Sequence, residues 1–370
     1  MKKPLETVYK LLEIVEDRKK KDLSLSNLLI GDPNIDPPKS LLKALENSVF
    51  DGPNGYSPAK GDPHLIDAII SYDKVKANPS QLIIGNGSKT LVFIALKLLL
   101  QPNDKVCLFS PYYPAYQSLL LEFNAQITNL DYTRDYLNEI KKIKPKLVIL
   151  TSPNNPDGQT FTKIQLQEIS DLTKQLNSYF IIDEAYRNFI YDEEVSQDLS
   201  DFIYEDHVIC LRTFSKALAI CGWRIGYCIA NTNLIKQMAQ TQLSLFNPLN
   251  RIMQRALTKY LKNPDIGFNS KSKHIFKSRL NKVCSSFAKR NIKVSSPLGA
   301  FYIFLKLNLS DTQDFCIDLA TNTGIILWPG YDFGKPSFIR ISIAQLEESK
   351  IESLIERLTL YLKENKVNII

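Results

Sequence analysis

The sequence is poor in several features that define whole classes of protein. Its three histidines, His64, His207 and His274, lie far apart without the HxH or HExxH spacing of a metal site. Its six cysteines form no CxxC pair, which favours buried free thiols in a reducing cytoplasm. No apolar run approaches the roughly 20 residues that span a bilayer, and residues 1–18 carry acids, unlike a signal peptide. We therefore predict no bound metal, no membrane segment and a cytoplasmic location.

Concentrated charge is also lacking. The formal net charge is +7, but the 46 basic residues are scattered among 39 acidic ones, with no basic arm or stripe. This pattern argues against a nucleic-acid partner. A chain of 370 residues with 44% hydrophobic residues is long enough for a large and a smaller packed domain. We predict a large domain over 46–275 and a small one over 1–45 and 276–370.

Short apolar runs alternate with helical patterns between residues 80 and 230, which predicts an α/β domain with a mainly parallel sheet and helices on both faces. The predicted strands are 82–84, 106–109, 147–150, 180–182, 208–211 and 225–230. Helices are predicted at 88–100 and 164–176, the second with Thr162 as its N-cap. Further on, helices at 234–245, 248–261, 271–289 and 346–362 and strands at 300–307 and 337–343 predict a smaller α+β unit.

A lysine with suitable neighbours follows one of these strands. Lys216 stands in Thr213-Phe214-Ser215-Lys216, and Arg224 follows shortly after. Its amine could react with an aldehyde while the hydroxyls and the guanidinium bind a phosphate. Alone, the Ser-Lys dipeptide carries little information, because most lysines are surface charges.

A carboxylate at the end of another predicted strand gives that lysine a partner. Asp183 opens Asp183-Glu184-Ala185-Tyr186, at the edge where parallel sheets collect their ligands. A protonated pyridine nitrogen needs such an anion. The competing interpretation of Asp183 is a helix cap or an exposed loop acid.

Two loops could complete a site for a flat, phosphorylated ring. In the turn-rich segment 151–158, the Asn155 amide could donate to a phenolic oxygen, and so could Tyr186. In Gly85-Asn86-Gly87-Ser88-Lys89, the free N–H groups at a helix start would bind an anion. Either segment could equally be ordinary loop.

Two side chains suggest contacts with a ring and with a substrate. An aromatic residue of the segment 110–116 could stack on a flat heterocycle. Arg340 lies within an apolar strand, where a buried guanidinium is costly without an anion such as a substrate carboxylate. An internal salt bridge is the alternative for Arg340.

Taken together and in order, these motifs resemble the class I and II aminotransferases of pyridoxal-phosphate fold type I. The resemblance runs over nearly the whole chain, from Gly31-Asp32-Pro33 through 56–61, 154–158 and 299–302 to Arg340. It implies an α/β fold with a mainly parallel sheet of seven-stranded type and a smaller α+β domain. It also implies transfer of an amino group from an L-amino acid to a 2-keto acid by ping-pong kinetics.

The resemblance further implies roles for individual residues. Lys216 would carry pyridoxal 5'-phosphate and shuttle the proton, with a pKa kept low by burial and the cationic cofactor. Asp183 would hold the ring nitrogen, with Lys216, Asp183 and Tyr186 as the catalytic group. The implied cofactor-binding residues are Gly87, Ser88, Lys89, Tyr113, Asn155, Asp183, Tyr186, Thr213, Ser215, Lys216, Arg224 and Tyr56, and the implied substrate-binding residues are Arg340, Asn155 and Gly31. Tyr56 would reach the neighbouring subunit's cofactor, which implies a homodimer with shared active sites.

Some features depart from this pattern and keep alternatives open. Asp157 replaces the usual threonine of the Asn-Pro-Thr-Gly turn. The phosphate loop resembles that of histidinol-phosphate aminotransferases, whereas Arg340-Ile341-Ser342 resembles the aspartate and alanine branches. One alternative is an oxidase, lyase or cyclising enzyme that uses the same cofactor. Another is a binding scaffold without turnover. The amino acid that reacts is not specified by these motifs.

Overall fold

The computed structural model of the chain describes residues 5–52, 54–192, 195, 204–246 and 249–370. Its strands are β1 Ser26–Asn27, β2 Leu82–Asn86, β3 Lys105–Ser110, β4 Gln126–Asp131, β5 Leu147–Thr151, β6 Tyr179–Asp183, β7 Val208–Thr213, β8 Ile225–Ile229, β9 Tyr302–Lys306, β10 Ile325–Ile326, β11 Trp328–Pro329 and β12 Phe338–Ser342. Its helices are α1 Glu6–Lys20, α2 Lys39–Phe50, α3 Pro63–Tyr72, α4 Ser88–Leu99, α5 Pro114–Glu122, α6 Tyr136–Ile143, α7 Lys163–Gln175, α8 Phe214–Ala217, α9 Thr232–Phe246, α10 Arg251–Lys262, α11 Phe268–Ala288, α12 Gln313–Thr323 and α13 Ile351–Glu364.

A seven-stranded sheet with the order β2-β8-β7-β6-β5-β3-β4 forms the larger part of the molecule. Its strands are parallel except β8, which runs antiparallel to both β2 and β7. Every residue of β5 is buried, as expected for a strand covered by helices on both faces. Separate apolar clusters pack on the two faces of the sheet. The α/β class and the mainly parallel sheet predicted from the sequence are confirmed.

Strand β4 was not predicted. Its sequence Gln126–Asp131 has one buried residue, Leu130, and lies at the edge of the sheet beside β3. Edge strands bury less surface than central ones, so their sequences lack the continuous apolar run by which the other strands were recognised.

A second apolar cluster lies outside the large sheet. It joins α1, α11, α12 and α13 to the antiparallel sheet β11-β12-β9, while β1 pairs with β10. Helices α2 and α11 run across residues 45 and 275, where the predicted domain boundaries fall. The division into 46–275 and 1–45 with 276–370 therefore stays a prediction.

Helix starts follow the local capping chemistry. Thr162 caps α7 by accepting a hydrogen bond from the Gln165 N–H, in a capping box. The predicted helix at 248–261 begins on residues outside the described ranges, and α10 begins at Arg251 because the Asn250 side chain accepts from the Met253 N–H. In the described part of the chain, no helix is long and apolar enough to cross a membrane.

Parallel pairing brings several strand ends to one edge of the sheet. Thr151 at the end of β5 pairs with Asp183 at the end of β6, and Asp183 pairs with Leu211 near the end of β7. Polar side chains that are distant in sequence therefore meet at this edge.

Candidate active site

A cavity of about 570 Å³ opens at this edge of the sheet, beside α1 and β9. It collects most of the residues singled out in the sequence: Gly31, Gly87, Ser88, Lys89, Tyr113, Asn155, Asp183, Tyr186, Thr213, Ser215, Lys216 and Arg224. The remaining lining includes apolar side chains of α1 and the segment after β1, among them Val8, Leu12 and Ile30. The structure therefore places these motifs around one space large enough for a small ligand.

Lys216 reaches the cavity from the short helix α8, directly after β7. Thr213 caps this helix by accepting a hydrogen bond from the Ser215 N–H at 3.1 Å. The amine of Lys216 donates to the Gly31 carbonyl oxygen at 2.7 Å and to Cys221 Sγ at 3.3 Å. The amine is thus held between the large sheet and the chain segment that follows β1.

The low pKa expected for Lys216 from the sequence depends on burial and on the cationic cofactor, and the chain alone shows only the first of these two effects. Burial lowers the pKa of the amine, as expected, but Tyr302, Cys221 and Asp32 act in the opposite direction and outweigh it. The pKa of Lys216 therefore lies above its ordinary value. Within the chain itself, burial alone does not make this amine a base.

Asp183 ends β6 and is buried beneath the cavity. The Tyr116 hydroxyl donates to its Oδ2 at 2.5 Å, and the Ala185 N–H donates to its Oδ1 at 2.9 Å. Within the described ranges no Lys or Arg side chain forms an ion pair with it. Burial raises the pKa of Asp183 to about 6, although the two hydrogen bonds lower it. A buried carboxylate held only by neutral donors is suited to bind a cation from outside the chain.

The start of α4 forms an anion-binding cradle with Arg224. Gly87 is the N-cap, and in the described chain no side chain caps this helix, so N–H groups of its first turn remain available. The φ of Gly87 is +78°, and a Cβ there would lie 2.5 Å from Arg224 Nη2. Glycine at this position therefore lets the guanidinium approach the helix start closely.

Asn155 and Tyr186 form a polar wall of the cavity. The Asn155 amide donates to Tyr186 Oη at 3.5 Å, and the hydroxyls of Tyr186 and Tyr302 are 2.7 Å apart. Burial and the proximity of Tyr302 raise the pKa of Tyr186 well above its ordinary value, so its hydroxyl remains protonated. It can therefore donate a hydrogen bond to a ligand oxygen.

Arg340 on β12 lies behind this wall, fully buried. It donates to Asn155 Oδ1 at 2.8 Å and to the Leu29 carbonyl oxygen, while its Nε has no hydrogen-bond partner within the described chain. The rings of Tyr302 and Trp328 pack at 4.4 and 4.5 Å from the guanidinium carbon. Burial lowers its pKa, and within the described ranges no carboxylate pairs with it. The internal salt bridge considered for Arg340 is not found there.

Asp157, which departs from the family pattern, accepts hydrogen bonds from neighbouring side chains. Tyr132 donates to Asp157 Oδ2 at 2.5 Å, and the Asn154 amide donates to Oδ1 at 2.8 Å. Burial raises the pKa of Asp157 against these hydrogen bonds. The side chain thus stabilises the turn that carries Asn155 and does not line the cavity.

Tyr113 and Lys89 lie together on another side of the cavity. The Lys89 ammonium is 5.5 Å from the centre of the Tyr113 ring. Both side chains also line the cavity. A flat ligand could pack on Tyr113, and an anionic one could approach Lys89.

Of the predicted site residues, Arg340 lies behind the cavity wall and Tyr56 lies outside the cavity lining. Tyr56 is 84% exposed and lies beside Arg251, which donates to its carbonyl oxygen at 3.4 Å. Within a single chain, Tyr56 therefore makes no contribution to the cavity.

Some cavity residues were missed by the sequence analysis. Tyr302 and Asp32 stood inside quoted motifs but received no role, and Cys221 lies between Lys216 and Arg224. Tyr116 stood in the aromatic segment 110–116. The signal for Tyr302 was its place in a strand beside Arg340, but only the fold shows that its hydroxyl meets Tyr186.

Comparisons with known proteins agree with this arrangement. Residues 22–358 match the family model described as aminotransferase class I and II. The chain is 30% identical to an aspartate aminotransferase of Thermotoga maritima, over 90% of this chain and 91% of that protein. It is 29% identical to a (5-formylfuran-3-yl)methyl phosphate transaminase of Methanocaldococcus jannaschii, over 96% of both chains. The crystal structure of a Thermotoga maritima aspartate aminotransferase superimposes with a TM-score of 0.88 at 28% identity, covering 97% of this chain and 98% of the other.

Proposed function

The chain belongs to the class I and II aminotransferases and transfers amino groups with pyridoxal phosphate as cofactor, and we propose that Lys216 carries this cofactor in a ping-pong reaction between an L-amino acid and a 2-keto acid. The observation that carries the proposal is the cavity shared by Lys216, the unpaired carboxylate Asp183 and the anion cradle at Gly87. An oxidase, lyase or cyclising activity is not favoured, because the relatives named above are aminotransferases.

The residues of the cavity fit the three chemical parts of pyridoxal phosphate. The buried Asp183 lacks a cationic partner within the described chain and suits a protonated ring nitrogen. The start of α4 with Arg224 suits a phosphate. Tyr186 and Asn155 offer donors for the ring oxygen. The fit thus rests on Asp183 and Arg224, which form no ion pair in the described ranges, and on the neutral side chains of Tyr186 and Asn155, which already contact each other.

When bound, pyridoxal phosphate supplies an aldehyde for amine exchange and a ring that withdraws electrons from the substrate carbon. Asp183 would keep the ring nitrogen protonated, and Tyr113 would pack against the ring. Thr213 and Ser215 add hydroxyls near the phosphate. Lys216 Nζ would take a proton from the α-carbon of the substrate and return it to the carbon of the cofactor aldehyde. Arg340 and Asn155 orient the substrate carboxylate, with Gly31 beside them.

L-Aspartate is the amino donor that we propose first. Lys89 is a cavity cation that can meet a side-chain carboxylate while Arg340 holds the α-carboxylate. The name aspartate aminotransferase of the Thermotoga maritima relative supports the same choice. Initial rates with a panel of amino acids and 2-oxoglutarate would test it, and a faster reaction with leucine or phenylalanine would contradict it.

A homodimer is part of the proposal, because two aromatic side chains are largely exposed near helices that pack together. Phe50 is 85% exposed and Tyr56 is 84% exposed, at the end of α2 and beside α10, and these two helices pack together. Such exposed apolar surface is typical of an interface. We expect the full chain to sediment as a dimer and Phe50→Glu to sediment as a monomer. A monomeric wild-type chain at micromolar concentration would contradict this part.

The cytoplasmic location is likewise a proposal. It is supported by the six cysteines, all of which carry free thiols. Fractionation of cells that express the protein would test it.

Replacement of Lys216 tests the proposed function directly. Lys216→Ala should abolish the absorbance of covalently attached pyridoxal phosphate and lower amino transfer by about 1000-fold or more, since both depend on this amine. Lys293→Ala, at an exposed lysine, is the matched control and should change neither. A Lys216→Ala protein that still attaches the cofactor covalently would end the proposal.

A further inference from the structure

Lys216 is held by partners that come from outside its own helix. Its amine donates to the Gly31 carbonyl oxygen at 2.7 Å and to Cys221 Sγ at 3.3 Å. A protonated lysine has three N–H donors, and these two contacts use two of them. The amine therefore has a defined position whenever it is not covalently engaged.

Cys221 is itself oriented by its surroundings. Its thiol donates to the Ser215 carbonyl oxygen at 3.2 Å, and the Asp32 carboxylate also lies within hydrogen-bonding reach of the sulfur. Burial raises the pKa of this thiol to about 11, although the Lys216 charge lowers it. The neutral thiol thus presents sulfur lone pairs to the ammonium, and its single S–H can donate either to the Ser215 carbonyl oxygen or to the Asp32 carboxylate.

Asp32 supplies the negative charge of this group. It follows Gly31 in the segment after β1 and lines the cavity with Lys216 and Cys221. An anion beside an amine stabilises the protonated form. Gly31 and Asp32 belong to the same segment. This segment therefore provides both the carbonyl oxygen that holds the amine and a negative charge near it.

We infer that Asp32 and Cys221 are positioning residues that hold the free amine of Lys216 against Gly31 and thereby control its reaction with the cofactor aldehyde. The inference rests on the proposed role of Lys216. Neither residue touches the reacting carbon. Their effect is to keep the amine protonated until the cofactor and substrate change the charge of the cavity.

Other ionisable groups face the same space and must be separated from this effect. Tyr302 on β9 acts on Lys216 in the same direction as Cys221 and Asp32, while burial opposes all three. The remaining charged side chains of the cavity are Lys89, Arg224 and Asp183, and its other phenols are Tyr113 and Tyr186. A test must therefore compare variants in which only the charge at position 32 or the atom at position 221 changes.

The rate of cofactor capture reports the protonation of Lys216 without relying on turnover. Full-length protein stripped of cofactor is mixed with pyridoxal phosphate, and covalent attachment is followed by absorbance as a function of pH. Only the neutral amine attacks the aldehyde. Asp32→Asn should move the pH profile toward acid by ~1 unit, so that capture below the midpoint is about tenfold faster.

Asp36→Asn is the matched control for charge, because Asp36 is exposed in the same segment. It should leave the profile in place, and ionisation of the cofactor itself is common to all the proteins. Cys221→Ala should also produce an acid shift, which Cys221→Ser should reverse by restoring an acceptor. Cys284→Ala serves as the thiol control.

Two failures can be told apart. If Asp32→Asn captures the cofactor with the same pH profile as wild type and Asp36→Asn, the inference about Asp32 and Cys221 is wrong while the role of Lys216 stands. If wild type forms no covalent product that Lys216→Ala lacks, the proposed function itself fails.

Discussion

Asp183 and Glu184 are neighbours in the chain with buried carboxylates, yet they belong to two different regions. Glu184 lies in what we call the buried ion network, formed by Glu184, Arg212, Asp73 and Arg187. There Arg212 Nε donates to Glu184 Oε2 at 2.6 Å, and Arg187 pairs with Asp73. Asp183 faces the cavity and has only neutral donors within the described chain.

The difference separates structural charges from functional ones. In the network each buried charge has a counter-charge from the chain, so folding alone satisfies it. Asp183 in the cavity and Arg340 behind its wall are buried without a counter-charge in the described ranges, and each keeps part of its binding capacity for a ligand. Burial alone therefore does not mark the site, and a missing counter-charge does so only together with a place at the cavity, since Asp332 is also buried with only neutral donors in the described ranges.

The largest expected effect is the difference in unfolding free energy between a variant that loses a carboxylate in the buried ion network and one that loses a carboxylate in the cavity. Glu184→Gln leaves Arg212 buried without an anion and should lower the free energy of unfolding by about 3–5 kcal/mol. Asp183→Asn removes an unpaired charge, so it should leave the unfolding free energy unchanged or higher. Denaturant titration of both proteins measures this contrast. Equal destabilisation by the two variants would remove the distinction.

The loss of activity should be large in Asp183→Asn and small in Glu184→Gln, which is the reverse of their order in loss of stability. Asp183→Asn should lower amino transfer by about 100- to 1000-fold, because the ring nitrogen loses its anion. Arg340→Met should raise the KM for the amino acid by about 100-fold, because the α-carboxylate loses its partner. Folded Glu184→Gln protein should retain activity within a few fold, and a loss as large as that of Asp183→Asn would contradict the assignment.

A smaller effect, on the pH dependence of cofactor binding, is expected from the Tyr116 hydroxyl, the neutral donor that contacts Asp183. Tyr116 donates to Asp183 and lowers its pKa, so Tyr116→Phe should raise that pKa further above about 6. Asp183 then takes up its proton at higher pH, and the cationic ring loses its partner earlier on acidification. The acid limb of cofactor affinity should move to higher pH, as measured by titrating cofactor binding across the pH range.

The control for Tyr116 is another buried phenol. Tyr191 donates to the Ala300 carbonyl oxygen at 2.6 Å, and Tyr191→Phe removes a hydroxyl of similar burial away from the cavity lining. Its acid limb should coincide with that of wild type. A coincident limb in Tyr116→Phe would show that this hydroxyl does not influence Asp183.

The chemistry-bearing motifs were readable because they lie at strand ends. Lys216 and Asp183 follow apolar runs, and parallel pairing must bring the ends of β6 and β7 together. The same logic failed for β4, whose exposed edge position leaves no apolar run. It also failed for the role of Asp157, because its partner Tyr132 lies on a different segment.

The sequence by itself determined six strands of the large sheet and several helices, the lysine and carboxylate at the strand ends and the glycine at the helix start, because periodicity and turn chemistry are local properties. Only the tertiary structure decided which buried charges are paired, that Tyr302 meets Tyr186, that Asp32 and Cys221 surround Lys216, and that Tyr56 stays away from the cavity of its own chain. These contacts join residues far apart in sequence, and their energies depend on burial and distance, which no local pattern records.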